Sequence, residues 1–118
     1  MAENFEIPGI NSETALDLFD GDMEIFVAVL KSYVANTPGA LANLRNVTKE
    51  NLPEYAISVH GVKGVSAGIG AVEASEKCKK LELMAKAGDL EGVLAGNDAM
   101  LKDIEKLVED IKSWLKDN

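Results

Sequence analysis

Several residue types are scarce in this chain, and each shortage limits what the protein can be. One cysteine among 118 residues, Cys78, cannot form an internal disulfide, so a reducing compartment is expected. One arginine, Arg45, leaves little scope for a bidentate phosphate clamp, and lysines must supply any positive charge that a site needs. The net charge of −8 argues against nucleic acids and anionic membranes as partners.

Long apolar segments are lacking as well. No apolar run approaches the roughly 20 residues that a membrane span requires. The acidic start of the chain, residues 1–6, has no hydrophobic stretch of the kind found in secretion signals. The sequence therefore predicts a cytoplasmic protein without direct membrane contact.

Strand patterns are absent, whereas apolar residues recur at the spacings of three and four that are typical of helices. Caps and breakers predict a short helix at about 11–19 and longer helices at about 22–48, 52–69, 71–87 and 89–116. The first long helix is expected to be kinked or restarted at Pro38, and the last could be broken near Gly92 or Gly96. Because short connections favour antiparallel neighbours, residues 1–118 are predicted to form one all-α domain, an antiparallel up-down-up-down four-helix bundle with a short extra N-terminal helix.

The helix predicted at 52–69 carries the only histidine of the chain, His60. Its apolar residues fall on one face, and His60 lies outside that face, so the ring is predicted to be at least partly exposed. Lys63 follows one helical turn later on the same side. Gly64 has no side chain and lets a large partner approach the ring. An imidazole with a free ring nitrogen is a nucleophile near neutral pH, so these features favour chemistry at His60.

The residues alone leave a second interpretation open, in which His60 is a surface or boundary histidine whose small neighbours permit close helix packing. A metal site fits poorly because there is no second histidine, and Cys78 lies on a core stripe. A nucleotide pocket fits poorly because no glycine-rich phosphate loop follows a strand. We therefore expect no metal and no cofactor in this chain, and any group that reacts at His60 must arrive bound to another protein.

The motif that resembles a known family is the stretch HGVKGVSAGIGA at residues 60–71. It is similar to the pattern His-x-x-Lys-Gly-x-Ser-x-x-x-Gly-Ala of histidine-containing phosphotransfer (HPt) domains, and segments 7–11, 19–22 and 87–89 resemble the same family. The resemblance implies a helical module of a two-component His-Asp phosphorelay. Its histidine would receive a phosphoryl group from one receiver-domain aspartate and pass it to another.

The resemblance also implies roles for individual residues. His60 would be the phosphoacceptor through Nε2, Lys63 would lie beside the phosphoryl oxygens, and Gly64 would clear the approach. Counting along the hairpin places Glu82 where the family has a residue that hydrogen-bonds Nδ1, and Lys86 would add a second cation one turn later. Mg²⁺ is expected in the partner receiver domain. Interpreted as a surface cation, Lys63 should be replaceable without loss of folding.

The expected function is a phosphocarrier without an ATP site, and not an enzyme, whose partners are response-regulator receiver domains. It could be free-standing or the C-terminal domain of a hybrid sensor histidine kinase. Two alternatives stay open: a substrate domain of a chemotaxis-type kinase, phosphorylated by a kinase domain, and an adaptor that binds receivers without being phosphorylated. Apolar residues of the first helix either contribute to receiver docking or simply cover the end of the bundle; the candidates are Ile10, Leu16 and Phe19.

Overall fold

The computed structural model describes residues 5–118, so the first four residues of the acidic N-terminal segment lie outside the described part. Within residues 5–118 the chain forms helices and no strand, which confirms the all-α class. The helices are α1 Ser12–Leu18, α2 Met23–Ala42, α3 Leu52–Ala67, α4 Val72–Lys86 and α5 Leu90–Asp117. The four longer helices form a ring in which α2 contacts α3 and α5, and α4 contacts the same two. The resulting bundle measures 48 × 23 × 18 Å.

Side-chain pairs between α3 and α4 run in opposite order along the two helices. His60 on α3 pairs with Glu82 late in α4, whereas the carbonyl of Lys63, further along α3, accepts a hydrogen bond from Ser75 early in α4. These two helices are therefore antiparallel neighbours. The up-down-up-down order of the whole bundle stays a prediction.

The core follows the helical periodicity of the sequence. The inward face predicted for residues 52–69 is confirmed, since five residues of α3 and one in the turn after it are buried: Leu52, Tyr55, Val59, Val62, Ser66 and Ile69. The largest fully buried side chains elsewhere include Phe26, Leu30, Leu44, Met100 and Ile104. Each such side chain stabilises the fold by roughly 1.5–3 kcal/mol relative to exposure, so this face fixes the rotation of α3 and with it the position of His60.

The helix predicted at 22–48 is shorter than expected, because α2 ends at Ala42. It runs through Pro38 without a restart. Four residues after Ala42, Asn46 has a left-handed φ of 56°, which takes the chain out of the helical path. The carbonyl of Leu44 accepts a hydrogen bond of 2.7 Å from the buried Asn97 side chain, 53 residues away. A long-range contact therefore satisfies a backbone group that a longer helix would have paired locally.

No break occurs in α5 at either glycine that the sequence singled out, since the helix is continuous over Leu90–Asp117. A Cβ at Gly96 would lie 3.3 Å from Cδ2 of Leu81 on α4. Gly96 therefore permits a close approach of α5 to α4, and packing compensates for its low helix propensity.

Gly70 forms the turn after α3 and contacts the residues just before α1. Its φ is 81°, and the following amide, that of Ala71, donates to the carbonyl of Ser66 at 3.0 Å, as in a glycine-terminated helix. The Gly70 carbonyl accepts a hydrogen bond from the Asn11 amide at 2.9 Å. Residues just before α1 thus fix the turn that follows the histidine-bearing helix.

By length and composition alone, α2 is the single helix of residues 5–118 that could cross a membrane, a property that the core helix of a soluble protein shares. One face of α2 is buried in the bundle through Phe26, Leu30 and Tyr33.

Candidate functional site

Glu82 is the centre of the site, although it lies on α4 and the histidine on α3. Its side chain is only 3% exposed. Its Oε2 lies 2.9 Å from His60 Nδ1 and 2.8 Å from Lys86 Nζ, and its Oε1 lies 2.8 Å from Lys63 Nζ. The structure therefore brings together the four charged or titratable side chains that the sequence assigned to one site.

The charge of Glu82 decides the direction of its hydrogen bond with the histidine. The ammonium groups of Lys63 and then Lys86 lower the pKa of Glu82 to about 2, against the opposing effect of burial, and His60 adds to the lowering. An ionised carboxylate only accepts hydrogen bonds, so His60 Nδ1 carries the hydrogen and donates it. In the neutral ring, Nε2 then holds the free lone pair.

The His60 ring is held at one edge and open at the other. Its side chain is 62% exposed, which confirms the predicted exposure, while the edge with Nδ1 meets the buried carboxylate. The position that offers the lone pair therefore lies away from the bundle interior, where another protein can reach it.

Space beside the ring comes from two glycines of α3. A Cβ added at Gly61 or at Gly64 would meet nothing within 4 Å. Two more glycines follow in this stretch and have different surroundings. A Cβ added at Gly68 would lie 3.4 Å from the carbonyl oxygens of Gly64 and Val65, and Gly70 forms the turn. Gly61 and Gly64 are therefore both open positions, and the role of Gly64 in access to the ring stays a prediction.

Lys63 is not the surface cation that the sequence indicates. Its side chain is 26% exposed, and its ammonium is close to a carboxylate that is almost completely buried. Within residues 5–118, no donor meets Oε1 of Glu82 with hydrogen-bond geometry, so the nearby charge of Lys63 is what compensates this oxygen. Removing one partner of a buried ion pair is costly, and we therefore expect Lys63 to contribute to stability.

The three apolar candidates around α1 all contact the core. Ile10 is buried, and Leu16 and Phe19 are partly buried, with the Phe19 ring centroid 5.2 Å from that of Phe26. These contacts agree with a role in covering the end of the bundle, and the docking role stays a prediction.

The exposed apolar side chains near the histidine are ones that the sequence reasoning missed. Ile57, one turn before His60, is 74% exposed, and Leu83, the residue after Glu82, is 58% exposed. Helical spacing could have found Ile57, because it places the residue three positions before His60 on the outer side of α3.

A groove of about 400 Å³ separates α2 from α3 on the side of Gly61. No charged residue lines it, and its walls combine apolar side chains, among them Val29, Val62 and Ile69, with uncharged polar ones such as Asn36 and Thr37. The outer face of α3 therefore has apolar or uncharged surface on the α2 side and the ion-paired cluster on the α4 side. In the described part of the chain, no group of three or more His, Cys, Asp or Glu residues is arranged to hold a metal ion.

A family model described as Hpt domain matches residues 28–114. The chain belongs to the Hpt domain family. The match includes all of α3 and α4, the two helices that carry His60, Lys63, Glu82 and Lys86, and α1 lies outside it. Comparisons with curated proteins and with solved structures found no match.

Hpt domains are phosphocarrier modules and not kinases, and they interact with response-regulator receiver domains and kinases in phosphorelays. This Hpt domain is accordingly a histidine phosphotransfer module of a phosphorelay. Its chemistry needs one nucleophilic nitrogen and a way to balance phosphoryl charge, since phosphoryl transfer depends mainly on positioning and electrostatics.

Proposed function

We propose that this Hpt domain accepts a phosphoryl group on Nε2 of His60 and passes it between the aspartates of response-regulator receiver domains. The observation that supports the proposal is the ring itself, which is 62% exposed while its Nδ1 lies 2.9 Å from an ionised, buried carboxylate. His60 is also the only histidine of the chain.

In the transfer step, the Nε2 lone pair attacks the phosphorus of an aspartyl phosphate. The bond from phosphorus to Nε2 forms as the bond from phosphorus to the aspartate oxygen breaks, and the aspartate leaves as a carboxylate. The ring keeps its Nδ1 hydrogen and becomes positively charged. Glu82 faces that hydrogen and stabilises the new charge, in the same way that it held the tautomer before the reaction. Attack by a second receiver aspartate on the phosphohistidine reverses these bonds.

Lys63 and Lys86 bring positive charge to the site. At about 4 Å, a cation attracts a unit negative charge by roughly 1–4 kcal/mol, depending on exposure. The partner receiver is expected to supply Mg²⁺, and we propose no cofactor for this chain.

We propose that the receiver docks on the outer face of α3 and α4 around the histidine. We define this docking face by Ile57, His60, Gly61, Gly64 and Leu83. Exposed Ile57 and Leu83 offer apolar anchors, and the two glycines leave room for the partner backbone. Lys86 at its edge adds a cation in a protein of net charge −8, which suits the acidic phosphorylation site of a receiver.

The wider setting is also part of the proposal. A single cysteine favours a reducing, cytoplasmic setting, and the net charge of −8 disfavours contact with nucleic acid or anionic membranes. The module would operate free-standing or as a domain of a hybrid sensor histidine kinase.

The test is transfer of radiolabel from a panel of receiver domains, phosphorylated in the presence of Mg²⁺, to the wild type and to His60→Gln. We expect acid-labile, base-stable label on the wild type alone, with circular dichroism showing that both proteins are folded. Label on His60→Gln would refute the assignment of His60.

Two further outcomes identify the alternatives. Label that arrives from a kinase domain with ATP, but from no receiver, would favour the substrate domain of a chemotaxis-type kinase. Receiver binding without label under any condition would favour the adaptor.

A further inference from the structure

The two lysines of the site reach Glu82 in different ways. Lys63 comes from α3, is 26% exposed and lies 2.8 Å from Oε1. Lys86 comes from the next turn of α4, is 61% exposed and lies 2.8 Å from Oε2. The carboxylate thus has one lysine on each oxygen, one largely enclosed and one largely in solvent.

The cost of losing each lysine differs as well. Oε2 would keep the hydrogen bond from His60 Nδ1 if Lys86 moved away. In the described part of the chain Oε1 has no hydrogen bond of good geometry, so without Lys63 a buried carboxylate oxygen would face no compensating group. A buried charge that loses its partner destabilises a protein strongly, and the cost is smaller where the same oxygen keeps another partner.

Lys86 is also well placed to meet a phosphoryl group. Its ammonium and His60 Nδ1 share one oxygen of Glu82, so the cation already lies beside the ring. Its flexible four-carbon side chain can follow a new charge without moving the backbone. A dianionic phosphoryl group on the exposed edge of the ring competes directly with Glu82 for this cation.

We propose that Lys86 leaves Glu82 on phosphorylation and pairs with the phosphoryl oxygens, whereas Lys63 keeps its contact with Oε1 and positions His60 through Glu82. The inference rests on the proposed role of His60 as the phosphoacceptor. It assigns to Lys86 the direct contact that the family motif suggests for Lys63, and it makes Lys63 a positioning residue whose charge acts from a fixed place.

Potassium phosphoramidate tests this without a partner protein. Nε2 attacks its phosphorus, the phosphorus–nitrogen bond of the reagent breaks, and the nitrogen leaves as ammonia. The extent of phosphorylation of His60 can be followed by ³¹P NMR in Lys86→Met and Lys63→Met. Lys80→Met is the matched control, since Lys80 is an exposed lysine on the same helix.

For Lys86→Met we expect phosphorylation to fall by about tenfold, because one close charge pair with the phosphoryl group is lost. Its urea unfolding midpoint should fall by less than that of Lys63→Met, because Oε2 of Glu82 keeps the hydrogen bond from His60. Lys86→Arg should restore phosphorylation. For Lys63→Met we expect a lower unfolding midpoint and a weakened NMR signal of the Nδ1 hydrogen, which reports the hydrogen bond to Glu82. That signal should be unchanged in Lys86→Met.

A double variant keeps the test valid if Lys63→Met folds poorly. Lys63→Met/Glu82→Gln removes the stranded carboxylate together with its partner, so it should unfold at higher urea than Lys63→Met. If the double variant is no more stable, or if Lys86→Met is phosphorylated as well as Lys80→Met, the division of roles is wrong. If the wild type is not phosphorylated at all, the proposed function of His60 is itself refuted.

Discussion

Glu82 and Asn97 are almost equally buried, at 3% and 5% exposure, but they belong to opposite kinds of network. Asn97 Oδ1 accepts a hydrogen bond of 2.7 Å from the Tyr55 hydroxyl, and Asn97 Nδ2 donates one of 2.7 Å to the Leu44 carbonyl. All three groups are neutral and buried. Glu82 is charged, and two of its partners, His60 and Lys86, are more than half exposed.

The difference separates a network that fixes the chain from one that can react. Burial raises the pKa of Tyr55, so its hydroxyl stays protonated and keeps its hydrogen bond to Asn97. The Asn97 network therefore ties α3 and α5 to the chain beyond α2 in one arrangement. The Glu82 network keeps a buried anion in place and lets the groups on its outer side respond to an incoming phosphoryl charge.

Breaking the Asn97 network should give the largest loss in the free energy of unfolding. Asn97→Ala leaves the Leu44 carbonyl and the Tyr55 hydroxyl without partners, at about 1–3 kcal/mol each, so we expect a loss of about 4 kcal/mol in the free energy of unfolding. Tyr55→Phe leaves one group unpaired and should lose about half as much. Urea unfolding followed by Trp114 fluorescence measures both. Equal losses in the two variants would show that the Leu44 contact contributes nothing.

The hydrogen bond from Asn97 to the Leu44 carbonyl also explains why the sequence predicts the end of α2 too late. Periodicity was sufficient for the inward face of α3 and for the buried position of Cys78, because both depend only on neighbours along the helix. The end of α2 depends on Asn97, which is 53 residues from Leu44 in sequence, and no local pattern encodes such a contact. The continuity of α5 through Gly96 likewise depends on Leu81 of another helix.

The site was predictable to a similar extent. The motif and the hairpin count identified His60, Lys63, Glu82 and Lys86, and the structure brings their side chains together. What the sequence did not reveal is that Glu82 is buried, because on a helical wheel it lies at the margin of the apolar stripe. Because Glu82 is buried, Lys63 is the partner of a buried charge and not a solvated cation.

The charge on Glu82 predicts a second, pH-dependent difference between the two networks. The pKa of Glu82 is lowered from 4.5 to about 2 in the folded protein. Its contribution to stability is therefore fully present above about pH 4.5 and is lost as the pH falls towards 2, with a total on the order of 3 kcal/mol. Glu82→Gln cannot titrate and lacks this contribution.

The measurement is urea unfolding of the wild type and Glu82→Gln at a series of pH values from 7 downwards. The stability difference between them should be constant above about pH 4.5 and should shrink below it. Asn97→Ala provides the contrast, since a neutral network should give a stability difference from the wild type that does not depend on pH. A Glu82→Gln difference that stays constant down to the lowest pH would show that the carboxylate is not held in its charged form.

Gly64→Ala is expected to have the smallest effect on stability, because Gly64 lies on the open side of the site. A Cβ at Gly64 meets nothing within 4 Å, so Gly64→Ala should leave the free energy of unfolding unchanged or raise it by up to about 1 kcal/mol through helix propensity. The same substitution at Gly70 should destabilise the protein, because its φ is 81° and a Cβ there would lie 3.1 Å from Ala15.

Gly64→Ala should nevertheless slow phosphotransfer from a receiver domain, since the added methyl group lies on the docking face. The rate with phosphoramidate, a much smaller donor, should change little. The ratio of the two rates separates access from chemistry, and an equal loss with both donors would show that Gly64 acts on the histidine itself and not on the approach of the partner.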